Sequence, residues 1–88
     1  MPQPPIIVYR TQICPSCVAA ANLLRKRGYS FEEIYLDGKA DEREALQART
    51  QFRTVPQIFV GERFVGGYRD LAEIDRSGQL AQWLALPT

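Results

Sequence analysis

The sequence has no histidine and only two cysteines, Cys14 and Cys17, among its 88 residues. A structural zinc site needs four ligands, usually thiolates and imidazoles, so this chain could complete one only in a dimer or with an outside ligand. A structural disulfide is poorly motivated, because it would close a loop of only four residues, Cys14 to Cys17, and so would remove little entropy from the unfolded chain. Redox chemistry is the leading interpretation of the pair, and two cysteines packed as small hydrophobes are the alternative.

Other signals are also missing. No apolar run approaches membrane-spanning length. No basic cluster is interleaved with aromatic residues, and eleven basic against ten acidic residues give a net charge of +1. Neither a membrane nor a nucleic acid is therefore an expected partner. Met1–Pro5 lacks the basic and apolar regions of a signal peptide, so we expect a flexible lead-in and a cytoplasmic protein. The length and the absence of repeats predict a single domain, residues 1–88.

The two cysteines lie between a strand pattern and a helix pattern. Ile6–Tyr9 is β-branched and aromatic, whereas Val18–Lys26 carries alanine, leucine and basic residues in helix-forming order. Pro15 suits the first helical position, where its missing N–H has no partner to lose, and this makes Cys14 the N-cap. Unpaired N–H groups and the helix dipole then favour a thiolate and lower the pKa of Cys14. We expect Cys14 to be the nucleophile and Cys17, more covered by the helix, to be the resolving cysteine.

The rest of the chain alternates between helix and strand patterns. The predicted segments are a strand at Phe31–Leu36, a helix at Asp41–Thr50, strands at Gln57–Val60 and Arg63–Val65, and helical segments at Asp70–Ile74 and Gln79–Leu84. A strand-helix-strand crossover makes its two strands parallel, and the two-residue turn Gly61-Glu62 signals a hairpin. The order β-α-β-α-β-β-α predicts an α/β fold with a four-stranded mixed sheet flanked by helices.

Two further motifs, Thr54-Val55-Pro56 and Gly66-Gly67-Tyr68-Arg69-Asp70, accompany the motif Cys14-Pro15-Ser16-Cys17, with Asp37-Gly38 and Arg43 in register. On these residues the chain, over Ile6–Trp83, resembles a dithiol glutaredoxin of the thioredoxin superfamily, similar to the bacterial glutaredoxin 3-like proteins. The resemblance implies a thioredoxin-like fold. It also implies a monomeric, glutathione-dependent thiol-disulfide oxidoreductase that reduces protein disulfides and glutathione mixed disulfides. Glutathione would be a co-substrate, with no tightly bound cofactor and no metal.

The resemblance also implies a binding site for glutathione. A cis bond between Val55 and Pro56 would expose the Val55 backbone to an extended peptide that bears a thiol. The segment Gly67 to Asp70, which includes Tyr68 and Arg69, would receive the γ-glutamyl end of glutathione. Arg43 would reach its glycine carboxylate.

Each of these residues also has a plain structural interpretation. Asp70 can serve as an N-cap, and Arg69 and Arg43 can be solvated surface charges. Thr54 either hydrogen-bonds the ligand or satisfies a turn. The residues alone leave these alternatives open.

Two positions depart from the family pattern. Many relatives have a basic residue three positions before the nucleophile, where this chain has Thr11, and the nearest cation is Arg10. A shift of one residue near a strand end turns a side chain to the other face, so Arg10 is not expected to stabilise the thiolate. Ser16 stands where many relatives have tyrosine, which removes an aromatic wall from the site.

Two other functions remain as alternatives. One is a glutaredoxin-like electron donor that thioredoxin reductase reduces, with ribonucleotide reductase as a partner; the basic residue missing at Thr11 and the unusual Arg69 favour it. The other is an iron-sulfur carrier, in which two chains and two glutathiones share a cluster through Cys14. Pro15 argues against the carrier, because relatives that do this readily usually lack that proline.

Overall fold

The computed structural model describes residues 3–85. Its elements, in chain order, are β1 Ile6–Arg10, α1 Pro15–Lys26, β2 Glu32–Tyr35, α2 Ala40–Thr50, β3 Gln57–Val60, β4 Arg63–Gly66, α3 Tyr68–Ser77 and α4 Gln79–Ala85. This is the predicted order, with the final helical region divided at Gly78. Met1 and Pro2 of the expected lead-in lie outside the described residues. Within it, Gln3 donates to the Ser30 carbonyl and Pro5 accepts from the Gly61 N–H.

The four strands form one mixed sheet in the order β2-β1-β3-β4. Strand β1 is parallel to β2 and antiparallel to β3, and β3 and β4 form the predicted hairpin. The crossover from β1 through α1 to β2 therefore gives the parallel pair expected from the sequence. Because β1 and β3 are neighbours, the end of β1 that leads to the cysteines lies beside the beginning of β3.

Hydrophobic clusters lie on both faces of the sheet. One face packs against α1, α3 and α4, and its buried residues are Ile6, Val8, Ala20, Leu24, Ile58, Val60, Leu71, Leu80 and Leu84. The other face carries Leu36, Leu46 and Phe59, with Tyr9, Val55 and Phe64 packed against them. Alternate residues of β1 serve opposite faces, as the two-residue period of a strand requires. Helices therefore pack on both faces of the sheet.

Helix α1 ends with two basic residues, Arg25 and Lys26, in its last turn, and Gly28 follows shortly after. Gly28 has a φ of +78°, and its N–H donates to the Arg25 carbonyl at 2.9 Å while the Tyr29 N–H donates to the Leu24 carbonyl at 3.1 Å. These two bonds form a Schellman motif, which satisfies carbonyls that the helix leaves unpaired. The chain then returns to the sheet as β2.

Between residues 3 and 85, none of the helices combines the length and the apolar character that a bilayer crossing requires.

Candidate active site

The cysteine pair lies at the start of α1. Cys14 is the N-cap, with an extended backbone at φ −153° and ψ 99°, and Pro15 occupies the first turn. The N–H of Cys17 donates to the Cys14 Sγ at 3.2 Å. The sulfur therefore takes the place of the oxygen acceptor that usually caps a helix. The predicted N-cap is confirmed.

The two cysteines form a disulfide, with their Cα atoms 5.2 Å apart, inside the range that a disulfide spans. Their exposure differs sharply: Cys17 is fully buried at 0% relative exposure, whereas Cys14 is half-buried. Pro15 and Ser16, the residues between them, are exposed. An incoming sulfur therefore meets Cys14 first.

A second segment, Thr54 to Pro56, lies beside the pair. The bond between Val55 and Pro56 is cis, as the resemblance implies. The Cys14 Sγ lies 3.8 Å from the Val55 carbonyl oxygen. Pro56 is buried, Val55 is half-buried and Thr54 is exposed. A ligand attached to Cys14 would therefore lie against the Val55 backbone.

A buried amide supports this segment. Gln57 is only 1% exposed; its Nε2 donates to the Phe52 carbonyl at 2.6 Å, and its Oε1 accepts from the Thr50 hydroxyl at 2.8 Å. The Thr50 hydroxyl also accepts from the Phe52 N–H at 3.2 Å. These bonds fix the loop that carries Val55. Gln57 was not among the predicted site residues, although a polar residue at the beginning of the strand Gln57–Val60 was a usable signal.

The third segment is the start of α3. Gly67 is its N-cap, and Tyr68 is its first residue. A Cβ atom at Gly67 would lie 3.5 Å from the Phe52 ring and 3.7 Å from the Pro56 carbonyl oxygen. The beginning of α3 is therefore packed against the Val55-Pro56 segment.

The prediction that Asp70 is the N-cap of this helix is wrong. Asp70 is the third helical residue, and its carboxylate accepts a hydrogen bond from the Gly67 N–H at 2.9 Å. The helix begins earlier because Gly67 adopts an extended backbone, with φ −95° and ψ −166°. Asp70 thus caps the helix from its third position, and it stabilises the positive end of the dipole from there.

Hydrogen bonds also hold the segment between β1 and Cys14 in place. The Gln12 N–H donates to both carboxylate oxygens of Asp37, at 3.1 and 3.3 Å. Arg10 is buried and its Nη1 lies 2.7 Å from the Glu33 carboxylate, while its Nε donates to the Thr11 carbonyl at 3.1 Å. Arg10 is therefore engaged with Glu33 rather than directed at the cysteines, as the shifted position predicted.

Between residues 3 and 85, no ion pair or side-chain hydrogen bond holds the guanidinium group of Arg43 or Arg69. Arg43 is half-buried on α2, and Arg69 is exposed at the start of α3. In the part of the chain that the structure describes, neither belongs to an ion pair; the pairs are Arg10–Glu33, Arg25–Glu33 and Arg27–Asp75. Both guanidinium groups remain available to an anionic ligand.

Three segments thus meet on a thioredoxin-like sheet. They are the N-terminus of α1 capped by Cys14, the loop with the cis Val55-Pro56 bond, and the beginning of α3 at Gly67. The family model for glutaredoxin matches residues 6–65. The chain belongs to the glutaredoxin family. It is 44% identical over 77 residues to a glutaredoxin of Pseudomonas aeruginosa, covering 88% of this chain and 92% of that protein.

Two further comparisons agree. Glutaredoxin 3 of Escherichia coli K12 is 41% identical over 73 residues, covering 83% of this chain and 88% of that protein. A crystal structure of a buckwheat glutaredoxin-glutathione complex superposes with a TM-score of 0.85 and 31% identity, covering 92% of this chain and 76% of that one. As a glutaredoxin, this chain is a glutathione-dependent thiol-disulfide oxidoreductase, and the Cys14–Cys17 pair is its redox centre.

Proposed function

We propose that this glutaredoxin reduces protein disulfides and glutathionylated proteins, with Cys14 as nucleophile, Cys17 as resolving residue and glutathione as co-substrate. The observation that carries the proposal is the difference in exposure between the half-buried Cys14 and the fully buried Cys17. The Cys17 N–H, already bonded to the Cys14 Sγ, supports the thiolate form of Cys14. Catalysis requires no tightly bound cofactor.

With a glutathionylated protein, the Cys14 thiolate attacks the glutathione sulfur. The mixed disulfide breaks, the protein thiolate leaves, and Cys14 becomes disulfide-bonded to glutathione. A second glutathione thiolate attacks the bound glutathione sulfur, which forms oxidised glutathione and releases the Cys14 thiolate.

With a protein disulfide, Cys14 attacks one substrate sulfur and expels the other as a thiolate. The Cys17 thiolate then attacks the Cys14 sulfur, frees the substrate and closes the Cys14–Cys17 disulfide. Two glutathiones reduce this disulfide and leave as oxidised glutathione.

We assign the glutathione site to the segments around Cys14. Thr54, Val55 and Pro56 border the bound thiol, with the Val55 carbonyl oxygen 3.8 Å from the Cys14 Sγ. The crystal structure of the buckwheat relative in complex with glutathione supports this assignment.

The two carboxylates of glutathione need separate partners. Because Asp70 accepts from the Gly67 N–H, the free donors at the start of α3 are the N–H groups of Tyr68, Arg69 and Asp70. These donors and the Arg69 guanidinium would hold the γ-glutamyl carboxylate. Gly67, packed close to Pro56, leaves room for it. Arg43 would hold the glycine carboxylate.

The remaining expectations concern the cellular setting. We propose that the protein acts as a monomer in the cytoplasm, where a reducing glutathione pool keeps the pair cycling. Ribonucleotide reductase is a candidate among its disulfide-bonded protein substrates.

Turnover of the mixed disulfide between glutathione and 2-mercaptoethanol tests the proposal, with glutathione reductase and thioredoxin reductase supplied in separate assays. We expect turnover with glutathione and glutathione reductase, and none when thioredoxin reductase replaces both. Turnover with thioredoxin reductase alone would contradict the proposal and support the electron-donor alternative.

A further inference from the structure

A groove lies on the face of the sheet opposite to α1, between the end of α2 and the turn of the β3-β4 hairpin. Its volume is about 660 Å³, within the range of small-molecule sites. Among residues 3–85, none that we assign to the redox centre or to glutathione lines it. The apolar side chains along the groove are those of Ile7, Tyr9, Phe59 and Phe64.

The groove exists because α2 is too polar to cover this face of the sheet. Among the eleven residues of α2, the only large apolar one is Leu46, which is also the only one buried. The cluster that α2 covers has three buried residues, whereas the cluster on the other face has nine. The side chains of Ile7, Tyr9 and Phe64 therefore stay half-buried, and a ligand can cover them.

Three aromatic rings pack together along the groove. The Phe59 ring centroid lies 5.8 Å from that of Tyr9 and 5.2 Å from that of Phe64. Each ring restrains its neighbour, so the three form a continuous apolar surface. Aromatic rings pack well against one another in edge-to-face and offset arrangements. This aromatic surface therefore suits a flat aromatic ligand.

Arg49 supplies a positive charge beside the aromatic surface. It lies in the last turn of α2, and its Cζ is 5.0 Å from the centroid of the Phe59 ring, a cation–π distance. Within residues 3–85 its guanidinium forms no ion pair and no side-chain hydrogen bond. Its N–H groups can therefore donate to a planar carboxylate, which matches the geometry of a guanidinium.

Glu62 sets the orientation of such a ligand. It lines the groove at the hairpin turn and, in the described part of the chain, forms no ion pair with Arg49. An anionic group is repelled at the hairpin end and attracted at the α2 end. The ligand carboxylate would therefore lie at Arg49.

We propose that this groove binds a small aromatic carboxylate. The carboxylate pairs with the Arg49 guanidinium, and the ring packs against Tyr9, Phe59 and Phe64. The site is separate from the redox centre, so its ligand leaves the Cys14–Cys17 pair free and undergoes no reaction. Binding here goes beyond the proposed function and does not depend on it.

NMR titration of the oxidised, ¹⁵N-labelled protein tests the site with three probes: 2-naphthoate, 2-naphthylmethanol and 2-naphthylmethylammonium. We expect 2-naphthoate to shift the backbone signals of Ile7, Tyr9, Phe59 and Phe64 saturably, with a dissociation constant of about 1 mM, the value that usual ligand efficiencies give for its size. The uncharged alcohol should bind about fivefold more weakly, because it lacks the charge-assisted hydrogen bonds. The ammonium probe should bind more weakly still.

Two results of this titration would overturn the proposal. One is the lack of saturable shifts at these residues, and the other is tighter binding of the ammonium probe than of 2-naphthoate. A dilution series without any probe distinguishes a second copy of this chain as the occupant. We expect no change on dilution, and shifts of the same four signals would overturn the proposal in favour of self-association.

Variants isolate the charged contact. Arg49→Gln should weaken 2-naphthoate about fivefold, to the level of the alcohol, and should leave the affinity for the alcohol unchanged, which shows that the groove is intact. The matched control Arg76→Gln, at an exposed position in the last turn of α3, should bind both probes like the wild type. Equal affinity of Arg49→Gln and the wild type for 2-naphthoate would contradict the assignment.

S-methylglutathione, which has no free thiol, separates the groove from the proposed glutathione site. At saturation it should leave the dissociation constant of 2-naphthoate unchanged. Displacement of 2-naphthoate would place the probe in the glutathione site and overturn the proposal. Because the titration involves no turnover, a failure of the proposed function leaves its result unaffected.

Discussion

The Sγ atom of Cys14 lies 3.8 Å from the carbonyl oxygen of Val55, although the two residues are 41 positions apart. The sheet causes this proximity. Strands β1 and β3 are antiparallel neighbours, with Tyr9 opposite Gln57, so the loop leaving β1 and the loop entering β3 meet at one edge. The redox helix and the segment that we assign to glutathione are thereby fixed to a common frame.

Arg43→Ala should raise the KM for glutathione about fivefold, with a smaller change in kcat. The reason is the loss of the charge-assisted hydrogen bond that we propose between Arg43 and the glycine carboxylate of glutathione. Steady-state kinetics with varied glutathione measure it. Arg76→Ala is the control, since Arg76 is exposed and equally free of ion pairs in the last turn of α3. Equal KM values for Arg43→Ala and the wild type would remove Arg43 from the site.

Gln57→Leu should lower the free energy of unfolding by about 1–3 kcal/mol and raise the KM for glutathione. The change leaves the Phe52 carbonyl without the Gln57 donor, and a buried polar group left unpaired is costly. Urea unfolding of the oxidised protein measures the loss. Gln82→Leu, at an exposed position of α4, should change stability by less than about 0.5 kcal/mol. Similar losses in the two variants would show that the buried amide does not support the loop.

Gly66→Ala should destabilise the protein more than Gly28→Ala. Both glycines have positive φ, +119° and +78°, so each substitution carries a backbone cost of about 1–2 kcal/mol. At Gly28 a Cβ atom would meet nothing within 4 Å, whereas at Gly66 it would collide with the Asp70 carboxylate. Denaturant midpoints compare the two. Equal midpoints would mean that Asp70 moves aside without losing its bond to the Gly67 N–H.

Glu33→Gln should lower the free energy of unfolding by roughly 2–3 kcal/mol. The Arg10 side chain is 7% exposed and that of Glu33 is 19% exposed, and breaking a buried pair leaves an uncompensated charge. Because Glu33 is partly exposed, we expect a loss smaller than the roughly 3–5 kcal/mol that breaking a fully buried pair costs. Thermal and urea unfolding measure it, with the exposed Glu73→Gln as control. A loss no larger than that of the control would contradict the role of the pair.

Much of the fold follows from local pattern. The predicted Gln57–Val60 strand is exact, because four β-forming or buried residues are bounded by a proline and a glycine. Pro15 allowed the start of α1 to be predicted, because only the first helical turn accepts a proline without cost. Both signals act within a few residues of the element that they define, so the sequence alone carries them.

The missed features depend on contacts that are distant in sequence or on ambiguous residue preferences. Asp is favourable both as N-cap and in the first turn, so its presence at position 70 did not locate the start of α3. The bond from the Gln12 N–H to Asp37 joins two loops, and no local pattern announces which backbone donor a carboxylate will find. Gln57 is similar, since its partners are known only once α2 and β3 are packed together.

The most direct test of the central claim is the location of bound glutathione. Cys17→Ser is incubated with oxidised glutathione, and mass spectrometry of the intact protein and its peptides locates the adduct. We predict one glutathione on Cys14, released when reduced glutathione is added. Cys14→Ser is expected to react far more slowly, because its remaining thiol is fully buried. Equally fast modification of Cys17 in Cys14→Ser, or no adduct on Cys14 in Cys17→Ser, would contradict the assignment of Cys14 as the nucleophile.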